Sequence, residues 1–167
     1  MIRLFALALT SLIGVTAVGI ERAMPATSMS VRDPQWTRIN SMGLGVDFPA
    51  AVFTVDAGPS DKGPGHRYVS QDGSAGLMYW TEPNSDHESP AVFLRKRLKF
   101  RAEQIDYERV TNRFFAVSGV RHPKIYYGRC NFPSGAAGPI HCIYMVYNER
   151  EKSLWDSVVT GVSLSLR

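Results

Sequence analysis

The sequence predicts an α+β fold, a central antiparallel β-sheet covered by helices, and three observations carry that prediction. Short apolar runs with period-two alternation recur from Trp36 onward, separated by Gly, Pro and Asp-Gly signals. Two segments, within residues 89–105 and 148–166, switch to helical spacing. The links between the apolar runs are mostly short enough for hairpins, which join antiparallel strands; parallel strands need long crossovers.

The chain opens with a different kind of segment. Arg3 precedes an uncharged apolar run, "LFALALTSLIGVTAVGI", which stops abruptly at Glu21-Arg22. This is the layout of a secretory signal peptide, expected over residues 1–28, with "ATS" (Ala26 to Ser28) or the earlier "AVG" fitting a cleavage site. The run is short and weakly apolar for a spanning helix, with Thr10, Ser11, Gly14, Thr16 and Gly19 inside it. No cysteine lies near the cut to accept a lipid. The expectation is therefore a periplasmic or secreted protein, with residues 29–167 forming one domain.

The first strands follow. "GLGVDFP" places Leu44, Val46 and Phe48 on one side, and "AVFTVDAG" is expected to continue it through Val52 and Phe53 to Gly58-Pro59. "HRYVS" and "SAGLMYWTE" flank Gln71-Asp72-Gly73, a hairpin signal because Asp and Gly tolerate positive φ. In "SPAVFLRKRLKFRAEQ", Ser89 is placed to cap, Pro90 suits a first helical turn, and Ala91, Leu94, Leu98, Ala102 and Ile105 form an apolar stripe. Phe93 and Phe100 fall one position off that stripe, so either could be exposed beside the cations. "IDYERV" and "RFFAVSGV" then form strands joined at Thr111-Asn112, followed by "KIYYGRCNF" and "IHCIYMVY". The closing segment, "NEREKSLWDSVVTGVSLSL", puts Leu154, Trp155, Val158, Val159 and Val162 on one helical stripe. Glu149 and Glu151 sit near its start, where the helix dipole favours them.

Composition bounds the function. With 167 residues, 44% hydrophobic and 20% charged, the chain can bury a sizeable core in one domain. Its net charge is +4, and loss of residues 1–28 removes Arg3, Glu21 and Arg22 and leaves +3. That mild basicity lacks the concentrated cationic surface through which nucleic-acid binders gain affinity by counterion release, so no nucleic-acid partner is expected.

The two cysteines, Cys130 and Cys142, flank a loop of small residues. Residues opposed in an antiparallel hairpin have a constant index sum, so pairing Cys130 with Cys142 centres the hairpin on Ala136. Phe132 then faces Ile140, Gly128 faces Tyr144 and Tyr126 faces Val146, all sensible cross-strand pairs. Opposed Cα atoms suit a disulfide, and an exported protein would oxidise it. Two reduced structural cysteines are the alternative. A zinc site drawing on His141, with or without His122, is disfavoured because neighbouring strand residues point to opposite faces. His66 and His87 lie in loops without ligand spacing, and no metal or cofactor is expected.

Catalytic templates fit poorly. The loop at Gly135 to Gly138 lacks the Lys-Ser/Thr of a phosphate-binding loop, and Ser118-Gly119 lacks the G-x-S-x-G elbow of a hydrolase. No catalytic residue is assigned, although a small envelope serine hydrolase using Ser118 or another serine with a histidine, such as His122 or His141, stays open as the alternative. The densest charge, Arg95, Lys96, Arg97, Lys99 and Arg101, is a solvated helix face or a surface for an anionic membrane or an acidic protein. Aromatic residues crowd the later strands: Tyr79, Trp80, Phe114, Phe115, Tyr126, Tyr127, Phe132, Tyr144 and Tyr147. They fill a core, or some of them line a ligand cleft. The expected partner is thus a protein, a small ligand or an anionic membrane surface, with the oligomeric state open.

The succession "GLGVDFPAAVF", "YVSQDGSAGLMYW", a helix, "FFAVSGV", "IYYGRCNF" and "YMVYNEREKSLWDSVVTGVSLSL" resembles the PsbP-like superfamily. More closely, it resembles a group of small uncharacterised secreted bacterial proteins with the same pattern. The resemblance spans Trp36 to Leu166 and implies an α/β/α sandwich, in a superfamily best known for accessory and binding roles. The family usually has Tyr-Pro before the last helix, where this chain has Tyr147-Asn148. None of the metal- or partner-binding motifs of the photosynthetic members is present to carry over. The function expected is a non-enzymatic binding or accessory role.

Overall fold

The computed structural model describes residues 31–97 and 104–167. The strands are β1 (Trp36–Ser41), β2 (Leu44–Pro49), β3 (Val55–Pro59), β4 (Gly65–Val69), β5 (Gly76–Glu82), β6 (Ile105–Val110), β7 (Phe114–Arg121), β8 (Lys124–Asn131) and β9 (Ile140–Asn148). The α-helices packed on them among the described residues are α1 (Pro90–Arg97) after β5 and α2 (Lys152–Ser165) after β9. Strands β3 to β9 form one antiparallel sheet in the order β3-β4-β5-β9-β8-β7-β6, and β1 with β2 makes a separate two-stranded sheet.

Strand alternation sorts the side chains into two layers. On one face Leu77, Tyr79, Ile143, Met145, Tyr147, Ile125 and Tyr127 meet Leu44, Val46 and Phe48 of β2 and Trp155, Val158 and Val162 of α2. Trp155 is fully buried, stacked on Tyr147 at 5.1 Å and near Phe53 at 5.9 Å. On the other face Trp80, Phe115, Val117, Phe132 and Ile140 pack beneath Phe93 and Leu94 of α1. The architecture is an antiparallel sheet between a hairpin-plus-helix layer and a single-helix layer. No helix among the described residues is long and apolar enough to cross a membrane.

Asp72-Gly73 turns the β4–β5 hairpin, with Gly73 at φ +67° and the Asp72 carboxylate accepting from Ser70 and from the Ser74 amide. Cys130 lies opposite Cys142, Gly128 opposite Tyr144 and Tyr126 opposite Val146. The two sulfurs are bonded, with Cα atoms 4.1 Å apart.

Three details correct or sharpen the expectations. Val52 and Phe53 do not prolong β2: their amides both bond the carbonyl of Pro49, and the turn drops both side chains into the core before β3 begins. Trp36–Ser41, whose side chains are mostly exposed, forms a strand of its own ahead of the first run singled out by its alternation, which begins at Gly43. Phe93 is not at the surface. It is 2% exposed and packs edge-on against Phe132 at 5.7 Å and beside Phe115 at 6.1 Å. Neighbouring helix positions are 100° apart, so one broad contact buries both Phe93 and Leu94. Leu98, Lys99, Phe100, Arg101 and Ala102 lie outside the described residues.

The last residues anchor the hairpin layer. Arg167 exchanges two backbone hydrogen bonds with Gly45, and the Asp47 amide donates to Ser165 Oγ at 2.8 Å. These bonds fix α2 relative to β2, and hence the angle at which α2 crosses the sheet.

Candidate functional site

Beyond β8 the sheet continues through β7 to β6, and α2 stands over this margin with a groove of about 550 Å3 beneath it. The groove follows from register. On the α2 face, Tyr107 of β6 lies opposite Ser118 of β7, which lies opposite Tyr127 of β8. The next row along these strands is Arg109, Ala116 and Arg129. The central strand thus contributes small residues and its two neighbours contribute large ones, which leaves a trough with Ser118 on its floor. Val120 and Ile125 extend the floor, and Asp156, Val159 and Thr160 of α2 form the far wall.

The walls differ in rigidity. Tyr127 is buried and its Oη is hydrogen-bonded to Ser163 Oγ of α2 at 2.6 Å. Burial raises the Tyr127 pKa, opposed by that hydrogen bond and by the Arg129 charge. Tyr107, on the outermost strand, is 46% exposed and gives the trough an aromatic rim. Tyr147 closes the inner end, its pKa pushed up to about 12 by burial and then by the Asp156 carboxylate.

Charge gathers at one end of the groove and again just beyond the other. Asp106, which occupies a bulge between Ile105 and Tyr107, lines the groove with Glu149, Asp156 and Lys152. Lys152 holds Asp156 at 3.0 Å, and His122 Nδ1 lies 2.8 Å from Glu149. One row beyond the groove's lining on the same face, Phe114 lies against two guanidinium groups, Arg129 at 4.4 Å and Arg109 at 5.5 Å from the ring centre.

The other sequence candidates lie elsewhere. Cys130 and Cys142 are on the opposite face of the sheet, beneath α1, and are 1% and 0% exposed. His141 points away from them, as strand alternation requires, with its Nδ1 donating to the Arg167 carbonyl at 2.8 Å. His122 is a surface side chain in the β7–β8 turn. No histidine is among the residues lining the groove beside Ser118, so this geometry does not bring the candidate hydrolase pair together. His66 and His87 stay apart from both, near Asp56 and the Ala136 carbonyl.

Arg95, Lys96 and Arg97 occupy the last turn of α1; Lys99 and Arg101 fall outside the described residues. Lys96 is bound to the buried Glu88 at 2.5 Å, and Arg97 lies over Phe93 at 5.7 Å. Arg97 also borders a shallow depression of about 310 Å3 with Lys62, Glu82, Asp86 and Glu88, so both signs of charge meet there.

Sequence reasoning named Ser118, Tyr127 and Tyr147 without placing them together, and it missed Tyr107, Arg109 and Arg129. Part of the signal was present in the two short turns at Thr111-Asn112 and His122-Pro123. Extending the hairpin index rule to His122-Pro123 would have set Arg129 opposite Ala116, whereas a two-residue turn at Thr111-Asn112 would have set Arg109 opposite Phe114, two residues from its observed partner Ala116.

No protein-family profile and no curated protein matches this chain. Among solved structures it is similar to the solution structure of cyanobacterial PsbP (CyanoP) from Synechocystis sp. PCC 6803. The TM-score is 0.59 at 10% sequence identity, over 93% of this chain and 98% of the other. At that identity the likeness establishes a PsbP-like α+β fold, and nothing about the site.

Proposed function

We propose that this protein is a non-catalytic binding or accessory module that holds a small, partly apolar ligand in the groove between α2 and β7. One observation supports the reading most directly. The groove's volume falls in the range of about 300–1,000 Å3 common for small-ligand sites. Its apolar and tyrosine lining is interrupted by four charged groups, Asp106, Glu149, Lys152 and Asp156. Such a surface desolvates a ligand body while fixing its orientation, and the rigid wall at Tyr127–Ser163 lowers the ordering cost of binding.

The same reading places the protein in the periplasm or outside the cell. Residues 1–28 serve as its signal peptide, and residues 29–167 form a single domain related to small secreted bacterial proteins. The signal-like start and the buried disulfide support this, because disulfides persist in oxidising compartments. The basic residues of α1 are a secondary surface on this view, since Glu88 already engages Lys96.

The test is an NMR-detected screen of small aromatic and aliphatic fragments against the 15N-labelled protein and its Thr160→Trp variant. Thr160 is exposed on α2 and lines the groove, so the indole fills the site without disturbing the core. Bound fragments should shift amides of β6 to β8 and α2, and Thr160→Trp should abolish those shifts. Fragments that map elsewhere, or bind the variant equally well, would overturn the proposal.

A further inference from the structure

We propose that the ligand of this groove is an amphipathic organic anion, its carboxylate held between Arg109 and Arg129 and its apolar body lying along Tyr107, Ser118 and Tyr127. The inference rests on the groove being a ligand site, and it deepens that reading by naming the ligand's chemistry.

The arginines are set for this by the sheet itself. They flank Ala116 in one cross-strand row, so their Cα atoms are about 10 Å apart by two strand spacings. Both guanidinium groups lie against the single ring of Phe114, at 5.5 and 4.4 Å from its centre, which keeps the two charges within about 10 Å of each other. Arg129 is further oriented: its Nε donates to Asn131 Oδ1 at 2.9 Å and one terminal nitrogen donates to Ser163 Oγ at 3.1 Å. The other terminal nitrogen keeps its donors for a second acceptor.

What these cations lack is equally informative. Among the described residues, neither Arg109 nor Arg129 has a carboxylate in ion-pair range. The carboxylates at the opposite end are partly answered, Asp156 by Lys152 and Glu149 by His122 when it is protonated. The charges left unanswered at the Phe114 end are therefore positive, and two guanidinium forks match an anionic head group through charge-assisted bonds. The Tyr107–Ser118–Tyr127 row begins one same-face step away, about 7 Å along the strands. A ligand with its anion on the arginines therefore runs its body straight into the trough.

The test compares 4-phenylbutyrate, its neutral amide 4-phenylbutyramide, and inorganic phosphate, by NMR titration of the native protein, Arg109→Gln and Arg129→Lys. Phenylbutyrate should shift amides along both rows and bind about tenfold or more tightly than the amide, as loss of a charge-assisted pair predicts. Arg109→Gln, an exposed change that spares the fold, should bring the acid down to the amide's affinity, and Arg129→Lys should weaken it less. Equal binding of acid and amide in the groove would overturn the anion assignment and leave the groove reading standing. Shifts confined to the arginine row, given equally by phosphate, would overturn the amphipathic ligand and the groove reading while retaining an anion site. The absence of shifts with all three probes would overturn both.

Discussion

Gly119 shows what one absent side chain does for this site. A Cβ there would overlap the carbonyl oxygen of Gln104 and the hydroxyl of Tyr126, which donates to that same carbonyl at 2.6 Å. The missing methyl lets the chain before β6 close onto β7, and that closure sets β6 with Tyr107 and Arg109 in register. Gly119→Ala should cost about 2–3 kcal/mol, the usual scale of overpacking against backbone that cannot yield, as measured by urea denaturation. A loss under about 0.5 kcal/mol would show that the approach is not needed. Tyr147 makes a different point about single residues, because its buried phenol stays neutral up to a pKa of about 12. An unfolded tyrosine ionises near pH 10, so the stability tied to the neutral form is intact below pH 10 and lost as pH rises from about 10 to 12. Tyr147→Phe should flatten that alkaline loss in urea midpoints taken across the interval. A residual slope should persist, because burial also raises Tyr79, Tyr126, Tyr127 and Tyr144.

At the level of elements, the β8–β9 hairpin is the most strongly specified part of the chain. Its disulfide closes a loop with a sequence separation of 12, sits beneath α1 and joins two interior strands of the seven-stranded sheet. Replacing both Cys130 and Cys142 with alanine should lower the unfolding free energy by about 3 kcal/mol, read from urea denaturation against the oxidised protein. An unchanged midpoint would mean that the cross-link adds no constraint beyond the sheet's own bonds. This register was legible because two cysteines and a glycine-rich loop pin it from both ends. Other elements were less so. β1 carries mostly exposed side chains, so its sequence shows little of the alternation that a buried face imposes. For α1, spacing found a helix and its docking but left the side of Phe93 open. A stripe drawn at single positions underestimates the arc that an aromatic layer of Phe115 and Phe132 can cover.

Across the whole molecule, the cysteines that stand out in the sequence form a buried cross-link and the histidines lie outside the lining of the groove, which draws on residues that stand out nowhere. Ser118, Ala116 and Thr160 are ordinary strand and helix residues, and Arg109 reads as one charge in an alternating run. They gain a role only because β6, β7 and β8 share a register and because α2 crosses that margin at a height set by β2 and the terminal residues. The sequence by itself determined the α+β class, the hairpins, the cysteine pairing and the segments that supply both helices. These depend on periodicity and on contacts between near neighbours, which a linear pattern records. The split of the strands into two sheets, the burial of Phe93, and the trough with an arginine row beside it were decided by tertiary structure alone. Each depends on where a distant element docks, and that choice is made by the summed packing of side chains far apart in the chain.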